Sequence, residues 1–192
     1  MRRLVLIAAL CCPLAVSAQQ TVAGGTVQPN GVARTFLSFG QPYGGWLLMA
    51  FDSIPESKYG FRPMPVQQSV GWIAQHLENA NYELCSMISG TSRVKSAQDA
   101  LSDSVKAQWP KDTLVARVRA SLQFCASQIQ GLSDAQLADT MTAKSAAGPQ
   151  QVFRVRYLIL LVTDLAEHYA QIAGYMRIIG MVPPSALPRP SS

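Results

Sequence analysis

Histidine is scarce in this chain, with only His76 and His168 among 192 residues. There is no C-x-x-C-H motif for attached haem and no pair of E-x-x-H motifs for a di-iron bundle. A G-x-S-x-G nucleophile elbow and a phosphate-binding P-loop are also missing, which removes two large hydrolase classes. Lysine and arginine are scattered and never cluster with aromatics, so no nucleic-acid partner is indicated. No stretch alternates with a strand period over a useful length, and no internal repeat is visible, which argues against a sheet or a solenoid. The most apolar run, near the start of the chain, is interrupted by Pro13. It falls short of the ~20 residues that span a bilayer.

That run is better explained by export. MRRLVLIAALCCPLAVSA places Arg2 and Arg3 before an apolar stretch and ends on the small residues Val16-Ser17-Ala18, the layout of a cleavable secretory signal. Residues 1–18 are therefore expected to leave, directing the chain to the periplasm or outside the cell without stable membrane insertion. A lipoprotein reading of Cys11 and Cys12 is weakened by Leu10, where lipid attachment favours a small side chain. The formal charge of +5 falls to about +3 without Arg2 and Arg3, a balance that selects no partner. The remaining chain, about 174 residues, suffices for one domain with a real core. Cys85 and Cys125 stay with it. An exported pair suits a disulfide, and two buried free thiols fit the sequence equally well.

Residues 19–33 are small, polar and Gly-rich and read as a flexible leader. From Arg34 to Ser53 the content is helical, but Gly40, Pro42, Gly44 and Gly45 are expected to kink or split the helix before Trp46. A Pro-rich loop follows. Val66, Val70, Ile73, Leu77, Ala80, Leu84 and Ile88 recur at three- and four-residue steps, marking one amphipathic helix. After Gly90 comes a long polar connection with a short helix around Ala97 to Leu101 and a break at Pro110. A third long helix is expected over Thr113–Gln130, stopped by Gly131, with one short turn in LSDAQLADT. The last helix is expected over Gln150–Ile179, with the stripe Leu161, Leu165, His168, Ile172, Tyr175 and Ile179. Gly180 and Pro183-Pro184 end it, and residues 185–192, rich in Pro and Ser, are expected to be a disordered tail. The fold class is all-α, a four-helix bundle over residues 34–184 with a long connection between its second and third helices.

Polar residues on these stripes are the candidates for chemistry. Asp164 and His168 lie four residues apart, on one helix face a turn apart. His76 stands beside Ile73, Leu77 and Ala80 and so lies at or near the core. Facing helices of a bundle build metal sites in this way. Two imidazoles and one carboxylate suit a divalent transition metal, zinc first, with nickel, iron or manganese also compatible. Three protein ligands leave a position for water or substrate, the count of a catalytic site. The plainer alternative is a hydrogen-bonded core cluster, or an exposed ion pair of about 0.3–0.5 kcal/mol. Asn79, Tyr82, Glu167 and Gln171 are candidates to line a pocket nearby.

The run KYGFRP, the segment WIAQHLENANYELC and the final EHYAQIAGYMRIIGMVPP together resemble the exported branch of the DinB-like superfamily of metal-binding four-helix proteins. The resemblance covers roughly residues 34 to 184. It implies a divalent metal held by one histidine on the second helix and two at i and i+4 on the last. His76 and His168 match two of these positions, and Asp164 stands where the family usually has the middle histidine. Relatives include thiol-dependent transferases and an isomerase, so the resemblance implies a small-molecule substrate and a metal that activates water or a thiol. The expectation is an exported metal-dependent transferase or hydrolase. The alternative is a non-catalytic exported bundle, a binding or stress-related protein with a degenerate site. The oligomeric state is left open, a homodimer included.

Overall fold

The computed structural model describes residues 29–188. Four long helices form the bundle: α1 (Gly31–Ser53), α2 (Val70–Ser89), α4 (Lys111–Gln130) and α6 (Val155–Ile178). Two short helices, α3 (Asp103–Lys106) and α5 (Asp134–Ala138), lie in the connections. Around the bundle the order is α1, α6, α2, α4, each long helix packing on two neighbours. Leu47, Phe51, Ile73, Leu77, Leu114, Ile129, Leu158 and Ile172 fill the centre, all essentially inaccessible. The all-α bundle with a long connection between α2 and α4 is the architecture the apolar stripes require. No helix among the described residues is long and apolar enough to cross a membrane. The segment expected to be an export signal, and the expected leader before Pro29, lie outside the described residues.

Four local expectations are corrected. Helix α1 begins at Gly31, three residues before the expected boundary, and runs unbroken through Pro42. Gly40 and Gly44 are close-packing positions rather than breaks. A Cβ on Gly40 would sit 3.2 Å from Val162 Cγ2, and one on Gly44 would sit 3.2 Å from Leu122 Cδ2. Burial against α6 and α4 offsets the hydrogen bond that proline removes. Second, α2 starts at Val70, where the Ser69 side chain accepts from the Trp72 N–H. Val66 therefore lies outside the helix and is 87% exposed. Third, Gln150 does not begin the last helix.

In its place residues 140–153 form an antiparallel hairpin of β1 (Thr140–Ser145) and β2 (Gly148–Phe153), with Met141 opposite Val152 and Lys144 opposite Pro149. Gly148, at φ +103°, supplies the left-handed turn residue. Fourth, the tail expected to be disordered from Ser185 is ordered as far as Pro188, with a 3-10 turn over Pro184–Ala186. Ser185 N donates to Tyr169 Oη there, and residues 189–192 lie outside the described residues.

Helices α2 and α6 are antiparallel neighbours fastened at both ends. Arg154, just before α6, donates from Nη1 to the Ile88 carbonyl at the end of α2. Tyr175, near the end of α6, donates its hydroxyl to the Gln68 carbonyl just before α2. This pairing brings the first half of α2 alongside the second half of α6, and so sets His76 against Asp164 and His168. A disulfide joins Cys85 to Cys125, tying α2 to α4 across a Cα separation of 5.2 Å.

Candidate metal centre

All three sequence-derived candidates meet. His76, Asp164 and His168 each offer one ligand atom within 4.8 Å of the others. Asp164 Oδ1 lies 3.5 Å from His76 Nε2 and 3.4 Å from His168 Nε2. Two ligand atoms each about 2.1 Å from a tetrahedral ion stand about 3.4 Å apart, so these separations fit a shared cation. They are long for a direct charge-assisted hydrogen bond, which closes to about 2.7–2.9 Å. The second carboxylate oxygen, Asp164 Oδ2, is buried and accepts no hydrogen bond. A buried carboxylate oxygen without a partner is destabilising; a cation beside it removes that penalty.

The orientation of His168 is set from the backbone outward. Because the Gln68 carbonyl can only accept, the Tyr175 hydroxyl must donate to it and accept from Gln171 Nε2 at 2.8 Å. Gln171 Oε1 is thereby turned toward His168 Nδ1, 3.2 Å away, and requires a proton on that nitrogen. A neutral His168 then presents a lone pair from Nε2 to the Asp164 oxygen. Two lone pairs face each other unless a proton or a metal ion lies between them. This relay is the hydrogen-bonded support that orients metal-binding imidazoles.

The electrostatics agree. Burial alone would push the Asp164 carboxyl up, yet the imidazoles of His168 and His76 beside it hold it down at about 2. Burial pulls the His168 imidazolium down, but Asp164 by hydrogen bond and charge, with Gln171 and Glu167, raises it above its ordinary value. His76 is the exposed member, at 34% of its side chain, and opens the site to solvent. Its ring stacks on Trp72 at 5.0 Å and 8° between planes, and meets the His168 ring edge-on at 4.8 Å.

Of the suggested pocket residues, Gln171 supports His168 as described, while Asn79 and Tyr82 line a recess that also holds His76. Glu167 is exposed and acts on His168 only through its charge. Sequence reasoning missed Trp72 as the platform under His76; its four-residue offset, one helical turn, was the available signal. It also missed Lys106, a buried lysine in the same recess.

The DinB superfamily profile matches residues 46–172, which include all three candidates. Among solved structures, a conserved protein from Enterococcus faecalis superposes with a TM-score of 0.57 at 16% identity, covering 76% of this chain and 95% of its own. The mycothiol-dependent maleylpyruvate isomerase superposes with a TM-score of 0.57 at 10% identity, over 73% of this chain and 59% of the isomerase. No curated protein matches the chain. At these identities the structural likenesses establish the fold alone, while the profile covers most of the bundle: the chain belongs to the DinB superfamily.

Proposed function

We propose that this protein is an exported metal-dependent enzyme of transferase or hydrolase type, with a divalent metal held by His76, Asp164 and His168. The observation that carries the reading is the convergence of two imidazole nitrogens on a carboxylate whose other oxygen is buried and unpaired. The set of two nitrogens and one oxygen suits zinc, and is compatible with nickel, iron or manganese. When bound, such an ion acidifies a coordinated water or thiol and so supplies a nucleophile near neutral pH. The chain's own residues do the rest. Gln171, held by Tyr175, keeps the His168 proton on Nδ1 and its lone pair toward the site. Trp72 fixes the plane of the His76 ring, and the exposed edge of His76 leaves an approach from solvent. A thiol is a suitable partner because an isomerase sharing this fold depends on one, mycothiol. Export is supported by the N-terminal layout and by the Cys85–Cys125 bridge, which belongs to an oxidising compartment.

The test is elemental analysis of the purified mature protein beside Asp164→Ala and His168→Ala. Near-stoichiometric metal in the parent, lost in both variants, is expected. Metal-free parent protein under metal-replete expression would overturn the reading. N-terminal sequencing of the exported protein is expected to begin at Gln19. A second reading, a non-catalytic bundle with a degenerate site, is favoured by one observation: both histidines approach the same oxygen, Asp164 Oδ1, as a protonated cluster would. Retention of metal without an exchangeable water would favour that reading.

A further inference from the structure

Lys106 is the one buried lysine among the described residues, only 3% exposed, and it lies outside the ligand set. Its ammonium has one hydrogen-bond acceptor among the described residues, Asn79 Oδ1, at a long 3.4 Å. Asp103 Oδ1 stands at 4.0 Å, beyond hydrogen-bond reach, on a side chain that is mostly exposed. An ammonium carries three N–H donors, and its two partners, Asn79 and the ion-paired Asp103, are both held at long range, so this buried charge keeps donors free for a closer anion. Lys106 lines a recess of ≈ 690 Å³ whose wall also includes His76, Asn79 and Asp103.

The other cations there are occupied or peripheral. Arg93 is bonded through both terminal nitrogens to Asp99 and lies over the Tyr82 ring, while Lys95 is exposed. The Lys106 segment is also pinned. Gly71 in the first turn of α2 lies so close that a Cβ there would meet the Ala107 carbonyl oxygen at 2.3 Å. The ammonium is thus held beside Asn79, which stands three residues, about one helical turn, along α2 from His76.

We propose that this recess is an anion subsite in which Lys106 binds the carboxylate of a small ligand whose second donor, a thiol or hydroxyl, faces His76 and the metal centre. The inference rests on the metal reading for the second donor but not for the carboxylate. His76 and Asn79, the residue that accepts from the ammonium, are three apart on α2 and so about 5–6 Å apart at their Cβ atoms, which lets one small ligand reach from one to the other. Substrates of this class are short mercapto- or hydroxycarboxylates.

Two titrations of the mature protein separate this subsite from the metal site. In chelator-treated protein, propionate is expected to shift the Asn79 side-chain amide resonances saturably, and Lys106→Met to abolish the shift. In cobalt(II)-loaded protein, 3-mercaptopropionate is expected to bind about tenfold more tightly than the neutral 2-mercaptoethanol. Lys106→Met is expected to bring that ratio close to one while leaving 2-mercaptoethanol affinity unchanged. Asp103→Asn, which removes a competing anion and keeps the lysine, is expected to tighten carboxylate binding several-fold and serves if the Met variant does not fold. A propionate shift indifferent to Lys106, or a ratio unmoved by both variants, overturns the subsite. Failure of cobalt to bind, with the Lys106-dependent propionate shift intact, overturns the metal reading and leaves the subsite standing.

Discussion

Helix α2 carries two clusters of charge barely one turn apart, and they are finished to different degrees. Glu78, 2% exposed, accepts from Arg117 Nε at 2.8 Å, and Arg117 Nη2 reaches Asp99 Oδ1 at 2.8 Å. Asp99 is also held by Arg93 and by the Ser96 backbone and hydroxyl, and the two guanidinium groups lie over Trp109 and Tyr82. Within this cluster each carboxylate oxygen faces a cationic group. Two residues earlier on α2, His76 belongs to a cluster whose contacts are 3.4 and 3.5 Å and whose Asp164 Oδ2 has no partner. The first cluster is complete as protein; the second leaves a buried carboxylate oxygen without a partner. Buried charge in one bundle is closed in the first cluster and left open in the second, and the open one is where the proposed ion would sit.

The contrast is broken most strongly at Arg117. Arg117→Met leaves Glu78 buried and loosens Asp99, which is expected to destabilise the protein by about 3–5 kcal/mol in urea unfolding, with metal content unchanged. Asp164→Asn in the metal-free protein should cost less, about 2 kcal/mol, because the contacts it removes are long, one oxygen is already unpaired, and the carboxyl is held only at about 2. Equal losses in the two variants would erase the distinction between a closed cluster and an open one.

Much of the open cluster was legible because it obeys helical spacing. Asp164 and His168 are one turn apart, and His76 shares the apolar phase of Ile73 and Leu77, so the bundle leaves them little choice but to meet. The closed cluster was not legible, since Arg93 and Asp99 come from a polar connection that has no period to read. Lys106 was hidden for the same reason: nothing local tells that Gly71 lets its segment press against α2. The hairpin escaped because both of its faces are largely solvated, which leaves only Met141 and Ala143 alternating in β1, too short a period to read. In α1, glycine and proline carried the local signal of a break, and tertiary packing against Val162 and Leu122 overrode it. Local rules failed where long-range contacts decide, and succeeded where one helix face carries the information.

Gln171 sharpens the comparison from the other side. Gln171→Ala removes the acceptor that holds the proton on His168 Nδ1, but touches nothing in the closed cluster. Zinc affinity, measured against a chromophoric chelator, is expected to fall about 10–100-fold, with little change in metal-free stability. Unchanged affinity would mean that Gln171 does not set the tautomer. Gln171→Glu, which keeps an acceptor facing Nδ1, is expected to recover part of the loss.

The smallest expected effect is one of pH, and it separates the clusters by sign. Asp99 is held well below the usual carboxylate range, first by its hydrogen bond to Arg93. Its contribution to stability is present above the unfolded value of 3.8 and is lost only as pH falls below it, because the arginines do not titrate. His168 behaves oppositely at the alkaline end. Its folded pKa is raised above the ordinary 6.5, so its contribution is complete below that pH and fades as pH rises through the folded value. Asp164, held at about 2 against 3.8, adds stability above pH 3.8 that is lost as pH falls toward 2. In the metal-free protein, the loss caused by Asp99→Asn should be the same at pH 6 and pH 9. That caused by His168→Gln should be present at pH 6 and shrink at pH 9. Zinc inverts the trend, because the ion competes with the His168 proton and binds more tightly as pH rises. A His168 variant whose deficit stays constant from pH 6 to 9 would mean that the proton between His168 and Asp164 is not what holds the empty centre together.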